Sequence, residues 1–375
     1  MKTISKKLFT LSVLFMLLMN CTTKENDFFT IDIDSAKEQQ LSLSEIAEKV
    51  EAIELEMTEN SLVNIRNFER IIYTGEHIFV CEHEAIMLFD KTGKFIRQIG
   101  SKGQGPGEFS GITRVAVDIN NEHLYVLARE KKIICYDFDG KVVNEAPILK
   151  SGELNFIFYT NNHLLYLLRT RERVNEDEIS QTILYSFDNN LSLSDSIEIN
   201  KATNNALPFA LIIMQGDYIF NDGENSFLYN SNAISEILLD TLYQLKDNRL
   251  DPYLKLKFND ADYKNRTLSF DAQNPQKIIE EFDKIVSVNS FYKSSRYVFS
   301  TYLHRKINYL FCYDLKSGEG YKFKDGYKDD IHTKENVKIR PINTDANMFY
   351  YLHTKIDDST IDEPNPTLYI GTLKK

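Results

Sequence analysis

Leu88-Phe89-Asp90-Lys91-Thr92-Gly93-Lys94-Phe95-Ile96-Arg97-Gln98-Ile99 is the stretch on which the fold turns. An apolar run ends in an aromatic, Asp-x-x-Gly permits a tight reversal, and a second apolar run follows. That is hairpin chemistry. Just upstream, Glu76-His77-Ile78-Phe79 opens another apolar strand behind a polar turn. Both signals recur along the chain. The openings are repeated at Glu122-His123-Leu124-Tyr125, Asn162-His163-Leu164-Leu165, Gly216-Asp217-Tyr218-Ile219, Ser295-Arg296-Tyr297-Val298 and Ala346-Asn347-Met348-Phe349. Their following strands are Cys135-Tyr136-Asp137, Tyr185-Ser186-Phe187-Asp188, Phe227-Leu228-Tyr229, Cys312-Tyr313-Asp314 and Leu368-Tyr369-Ile370.

Each opening is also preceded by a short strand. These read Asn67-Phe68-Glu69-Arg70, Thr113-Arg114-Val115, Asn155-Phe156-Ile157, Ala210-Leu211-Ile212, Asn289-Ser290-Phe291 and Ile339-Arg340-Pro341. One unit is therefore four strands: inner, second, third and outer. Successive openings, counted from His77 to Asn347, lie 46, 40, 54, 79 and 51 residues apart. Four-stranded units of this length are propeller blades rather than solenoid turns. The expected fold is all-β: a six-bladed β-propeller of four-stranded antiparallel blades over residues 45–375. The long gap places one inserted segment, at about 250–284, between blades four and five. Within it, Pro275 to Phe282 reads as a short helix with Ile278, Ile279 and Phe282 on one face.

The N-terminal side completes the ring. Val50 to Met57 alternates Ile53, Leu55 and Met57 with Glu54 and Glu56, the period of a half-buried strand. Such a strand can pair with the last blade and remove an open edge. Ser42 to Glu48 reads as a short capped helix leading in. Further upstream, Lys2, Lys6 and Lys7 precede an apolar run from Leu8 to Met19. That run is too short to span a bilayer, which needs about 20 residues. Residues 1–20 are read as an export signal. Leu18-Met19-Asn20-Cys21 resembles a bacterial lipobox, with Asn20 departing from the usual small residue. This makes Cys21 the lipid attachment residue and residues 21–44 a tether and lead-in. The expected place is the cell envelope, lipid-anchored at the outer membrane, on its periplasmic or surface face.

Loss of the three signal lysines moves the formal charge from −11 to −14. An acidic chain releases no counterions from nucleic acid and is repelled by phosphate, so nucleic acid and anionic headgroups are discounted as partners. Cys81, Cys135 and Cys312 are scattered, with no CxxC pair, and form neither a disulfide framework nor a zinc site.

Phe89-Asp90-Lys91-Thr92-Gly93-Lys94-Phe95 followed by Gly103-Gln104-Gly105-Pro106-Gly107-Glu108-Phe109 resembles the first-blade signature of the six-bladed β-propeller lipoproteins of Bacteroidetes, themselves loosely similar to NHL and TolB-like propellers. Asp251-Pro252-Tyr253 and Asn365-Pro366-Thr367-Leu368-Tyr369 strengthen the likeness, which covers residues 45–375. The resemblance implies the fold and implies little chemistry.

Gly103 to Phe109 is no phosphate loop, because Glu108 stands where a Walker loop needs Lys. Its glycines suit a crossover between blades; the functional alternative puts Glu108 and Arg114 at the channel mouth. His77, His123 and His163 occupy equivalent turns on different blades, too far apart to share one ion with metal–nitrogen distances near ~2.1 Å. Asp222-Gly223-Glu224-Asn225 and Asp357 to Glu363 are acidic loops that could hold Ca²⁺ but more simply are solvated. The inner strands offer Glu69, Asn155 and Asn289 together with Arg70, Arg114 and Arg340. Three arginines disfavour a cation and suit a carboxylate-bearing ligand. The expected function is a non-catalytic binding module for a small ligand, glycan or protein partner, with no metal and no cofactor. Two alternatives stand beside it: a metal-dependent hydrolase or lyase working in the channel, and an accessory subunit of a surface nutrient-uptake complex.

Overall fold

The computed structural model describes residues 29–64, 68–148, 154–160, 163–174, 177–204, 219–222, 225–229, 241–246, 249–258, 286–342, 344–354 and 364–375. These form six four-stranded meanders arranged as a six-bladed β-propeller. Blade one runs Phe68–Tyr73, His77–Glu82, Ile86–Asp90 and Phe95–Gln98, each strand antiparallel to the next. Blade two follows with Ile112–Asp118, His123–Ala128, Lys132–Asp137 and Val142–Pro147. Blade three uses Leu154–Thr160, His163–Val174, Asp177–Phe187 and Leu193–Asn204. Blade five is Ser287–Lys293, Tyr297–His304, Ile307–Asp314 and Glu319–Phe323.

The reversals follow from the Asp residues at their starts. Asp90 Oδ1 accepts the Thr92 amide at 2.8 Å and the Lys94 amide at 3.1 Å. Asp188 Oδ1 does the same for Asn190 and Ser192, at 2.9 and 2.8 Å. The carboxylate satisfies amides that the ladder cannot reach, so the turn forms locally. Between blades the sheet faces are apolar. Ile72, Phe79 and Leu88 of blade one pack with Val115, Val126 and Ile134 of blade two in one buried cluster.

In blade four the first described strand is Ile219–Asp222, antiparallel to Asn225–Tyr229, which holds Phe227-Leu228-Tyr229; the inner strand expected at Ala210-Leu211-Ile212 lies outside the described residues. Thr241–Lys246 is third and Arg249–Lys257 is outer. Asp222 and Asn225 are paired where these two strands reverse, and the turn expected at Gly216-Asp217 lies outside the described residues. Leu250 to Lys257 is thus an ordinary outer strand and not the start of an insertion. Residues 259–285, including the helix expected at Pro275 to Phe282, lie outside the described residues. In blade five, Ser294 N donates to Tyr297 O as Thr74 N does to His77 O, which puts Tyr297 rather than Arg296 at the equivalent of His77.

Blade six is Arg340–Ile342, Asp345–His353 and Thr367–Leu373, closed by Ala47–Glu54 from the other end of the chain. The expected closing strand is present, shifted a few residues toward the N-terminus. The capped helix is present as Leu43–Ile46, with Glu45 Oε2 accepting the Ser42 amide at 2.6 Å. The lead-in does more than approach the ring. Phe29–Asp32 adds in parallel to the outer strand of blade four, and Lys37–Glu38 adds in parallel to that of blade five. Ile31, Ile33, Leu41, Leu43 and Ile46 are all buried. One N-terminal strap therefore covers the rims of blades four, five and six in turn.

Candidate functional site

In each meander the inner strand starts, and the second strand ends, on the same face of the ring. Arg70, Arg114 and Arg340 stand near the starts of their inner strands and so come to one end of the channel. Two β-bulges place the first pair. In blade one the register jumps between Phe68 and Arg70; in blade two it jumps between Ile112 and Arg114. Each arginine follows one unpaired residue, and a bulge of this kind re-aims the side chains beside it. Blade five repeats the device between Val288 and Ser290.

The arginines sit in different surroundings. Arg70 is buried and lines the central cavity. Arg114 is half-buried, donates from Nη1 to Thr113 O at 2.8 Å, and holds its guanidinium carbon 4.4 Å from the ring centroid of Phe156 in blade three. A guanidinium stacked on a ring is pre-oriented, with its N–H groups in the plane of the stack. Arg340 is exposed. Among the described residues the turns from second to third strands open on the same face and carry His83-Glu84, Arg129-Glu130-Lys131 and Arg305-Lys306. Sequence reasoning missed these turn cations because single residues in short turns carry no repeat signal. Glu82, buried at this end, is pushed above the usual carboxylate range by burial, against the pull of the Asn64 amide and His83.

Glu108 is engaged by its own loop. Its Oε2 accepts the Gly105 amide at 2.9 Å. The same crossover is held by Glu145, which accepts the Gly107 amide at 2.6 Å, and by Tyr136, whose hydroxyl donates to Gly107 O at 2.8 Å. Gly107 has φ +69°, and a Cβ there would stand 2.4 Å from Val142 Cγ2. The glycine-rich signature thus builds a close-packed bridge between blades one and two, and Glu108 helps fix it beside the mouth.

The central cavity is small, about 30 Å³, and is lined by Arg70, Ile71, Ile72, Val115, Ala116, Val117, Phe158, Tyr159, Ile219, Phe220, Asn221, Pro341, Ile342, Thr344 and Tyr350. That is room for one or two waters, where a drug-sized ligand needs about 300 Å³ or more. A larger ligand must sit on a mouth. Toward the opposite end, Lys293 Nζ donates to Asp222 Oδ2 at 2.5 Å, and Asn347 Nδ2 donates to Asp222 Oδ1 at 3.3 Å. Asp222, weighed as a Ca²⁺ ligand, is therefore paired across blades four, five and six. The second acidic loop, Asp357 to Glu363, lies outside the described residues, as does Cys21.

Among the described residues no three His, Cys, Asp or Glu side chains are grouped to hold a metal ion. His77 packs against Phe79 and Phe138, and His123 against Tyr125. The thiols of Cys81, Cys135 and Cys312 are free and buried. Burial pushes that of Cys135 up to about 12, the opposite of an activated nucleophile.

The fold is shared with a solved structure of low sequence identity. A Bacteroides fragilis protein assigned as exported superposes with a TM-score of 0.64 at 16% identity, covering 92% of this chain and 100% of that one. BamB of Moraxella catarrhalis follows at a TM-score of 0.42 and 8% identity, covering 81% of this chain and 96% of that one. No curated protein matches the chain in sequence. The family described as a domain of unknown function, DUF4934, matches residues 28–370, and the chain belongs to that family.

Proposed function

We propose that this chain is an exported propeller lipoprotein, anchored through Cys21, that acts as a non-catalytic binding module for an anionic ligand. The observation that carries this reading is the arginine-bearing mouth. In a chain of net charge −11, Arg70, Arg114 and Arg340 stand toward one end of the channel, with Arg129, Lys131, Arg305 and Lys306 among Glu82, Glu84 and Glu130 on and beside the turns around it. The planar guanidinium of Arg114, stacked on Phe156, suits a carboxylate, as free acid, acidic glycan or acidic peptide. Glu108 shapes the neighbouring crossover. The exported Bacteroides fragilis relative supports the envelope location. The outer membrane and a link to NHL or TolB-like propellers belong to the same reading, and so does a place in an uptake complex.

The test is a thermal-shift screen of organic acids, acidic glycans and acidic peptides on residues 22–375, with metal analysis of the same sample. The reading expects stabilisation by a carboxylate compound and none by its amide. A stoichiometric Ca²⁺ or Zn²⁺ whose removal abolishes a hydrolytic activity would replace it with the channel enzyme.

A further inference from the structure

The strap sets a limit on how the propeller can stand at a membrane. Its first described residue, Phe29, is already paired with Leu254 on the outer strand of blade four. The strand then runs Thr30 against Lys255 and Ile31 against Leu256, with Ile31 only 1% exposed. Phe29 is thus a fixed point on the rim, its ring 6.2 Å from that of Tyr313 in blade five. Cys21 stands eight residues earlier in the chain. Even at full extension, eight residues reach only about 28 Å. A compact body of this size is about 50 Å across. The opposite rim, blade one, is therefore out of reach of a surface that holds Cys21.

We infer that the outer edge of blade four, with the start of the strap on it, is the face the protein turns to a lipid surface. This rests on the lipid anchoring proposed above. The edge suits that place in composition as well as position. The strap start and the two outer strands of blade four carry Lys246, Arg249, Lys255 and Lys257 among Asp32, Asp34 and Asp251. Phe29 and Tyr253 are 49% and 37% exposed there. Aromatic rings and long cationic side chains are the residues that settle at a headgroup layer. Rim-down placement lays the channel axis along the membrane, so the arginine mouth opens sideways into solution and is not blocked by the bilayer.

The test uses the acylated full-length chain in vesicles. Its native thiols are buried, so single cysteines introduced as Asp251→Cys or Lys257→Cys (blade four) and Ile96→Cys (blade one) accept a fluorophore selectively. A quencher attached to lipid headgroups should quench the blade-four labels several-fold more than the blade-one label. A Gly/Ser insert of about 30 residues after Thr22 should erase the difference, because its reach then exceeds the body. Equal quenching at both rims of a chain that floats with vesicles would overturn the orientation alone. Failure of the wild-type chain to float, matching Cys21→Ser, would overturn the anchoring and the orientation with it.

Discussion

Asp329 is fully buried, yet it is held as a carboxylate. It accepts the amides of Ile331, His332 and Thr333 at 3.1, 2.9 and 2.9 Å, the Thr333 hydroxyl at 2.8 Å and the Tyr351 hydroxyl at 2.8 Å. Burial alone pushes this acid up, but the hydrogen bonds outweigh it and hold the pKa at about 2. Because the folded value is depressed, the contribution is full above the unfolded value near ~3.9 and is lost as pH falls toward 2; it amounts to about 2 kcal/mol. Urea unfolding from pH 5 to pH 2.5 should show this loss in the wild type, and Asp329→Asn should be less stable at pH 5 with a flatter profile. A second residue matters for a different reason. Gly93 has φ +90°, and a Cβ there would lie 2.2 Å from Glu54 O on the closing strand of blade six. Gly93→Ala should cost about 3 kcal/mol, since both the backbone region and the space are wrong for a side chain. A thermal midpoint unchanged by that substitution would mean that the blade-one turn does not press on the closing strand.

Among the elements, the strap and the bulges were hardest to read from sequence. The alternation of Ile53 and Leu55 with Glu54 announced a closing strand, and Ser42 with Glu45 announced the helix. Phe29–Asp32 and Lys37–Glu38 are too short to show any period, so their pairing was invisible until the blades were assembled. Bulges are invisible for a related reason: an extra residue is defined only by the partner strand. Arg70 and Arg114 could be assigned to inner strands, but their shared place after a bulge could not. The inward fold of Glu108 depends on Gly105 three residues away and on a crossover clamped by Glu145 and Tyr136 of the next blade. The strap's contribution is measurable by truncation. A chain starting at residue 47 keeps the closing strand and should fold with a lowered midpoint. A chain starting at residue 55 should lose cooperative unfolding and associate through the bared edge of blade six. Equal midpoints for both and for the full chain would show that the strap is dispensable.

For the whole molecule, ring closure and charge distribution together decide what the protein presents. The central cavity is small, Asp222, Lys293 and Asn347 tie three blades together at one end, and at the other Arg114 stacks on Phe156. A ligand carrying a carboxylate would meet pre-oriented donors there without entering the channel. Losing one charge-assisted contact of that kind costs about 2 kcal/mol, or roughly 30-fold in affinity. The most direct measurement is a calorimetric titration of the best carboxylate ligand into the wild type and Arg114→Ala at one fixed salt concentration. Affinity weakened at least tenfold by Arg114→Ala, with the thermal midpoint nearly unchanged, is the predicted result. Undiminished affinity in Arg114→Ala would contradict the arginine mouth as the binding site.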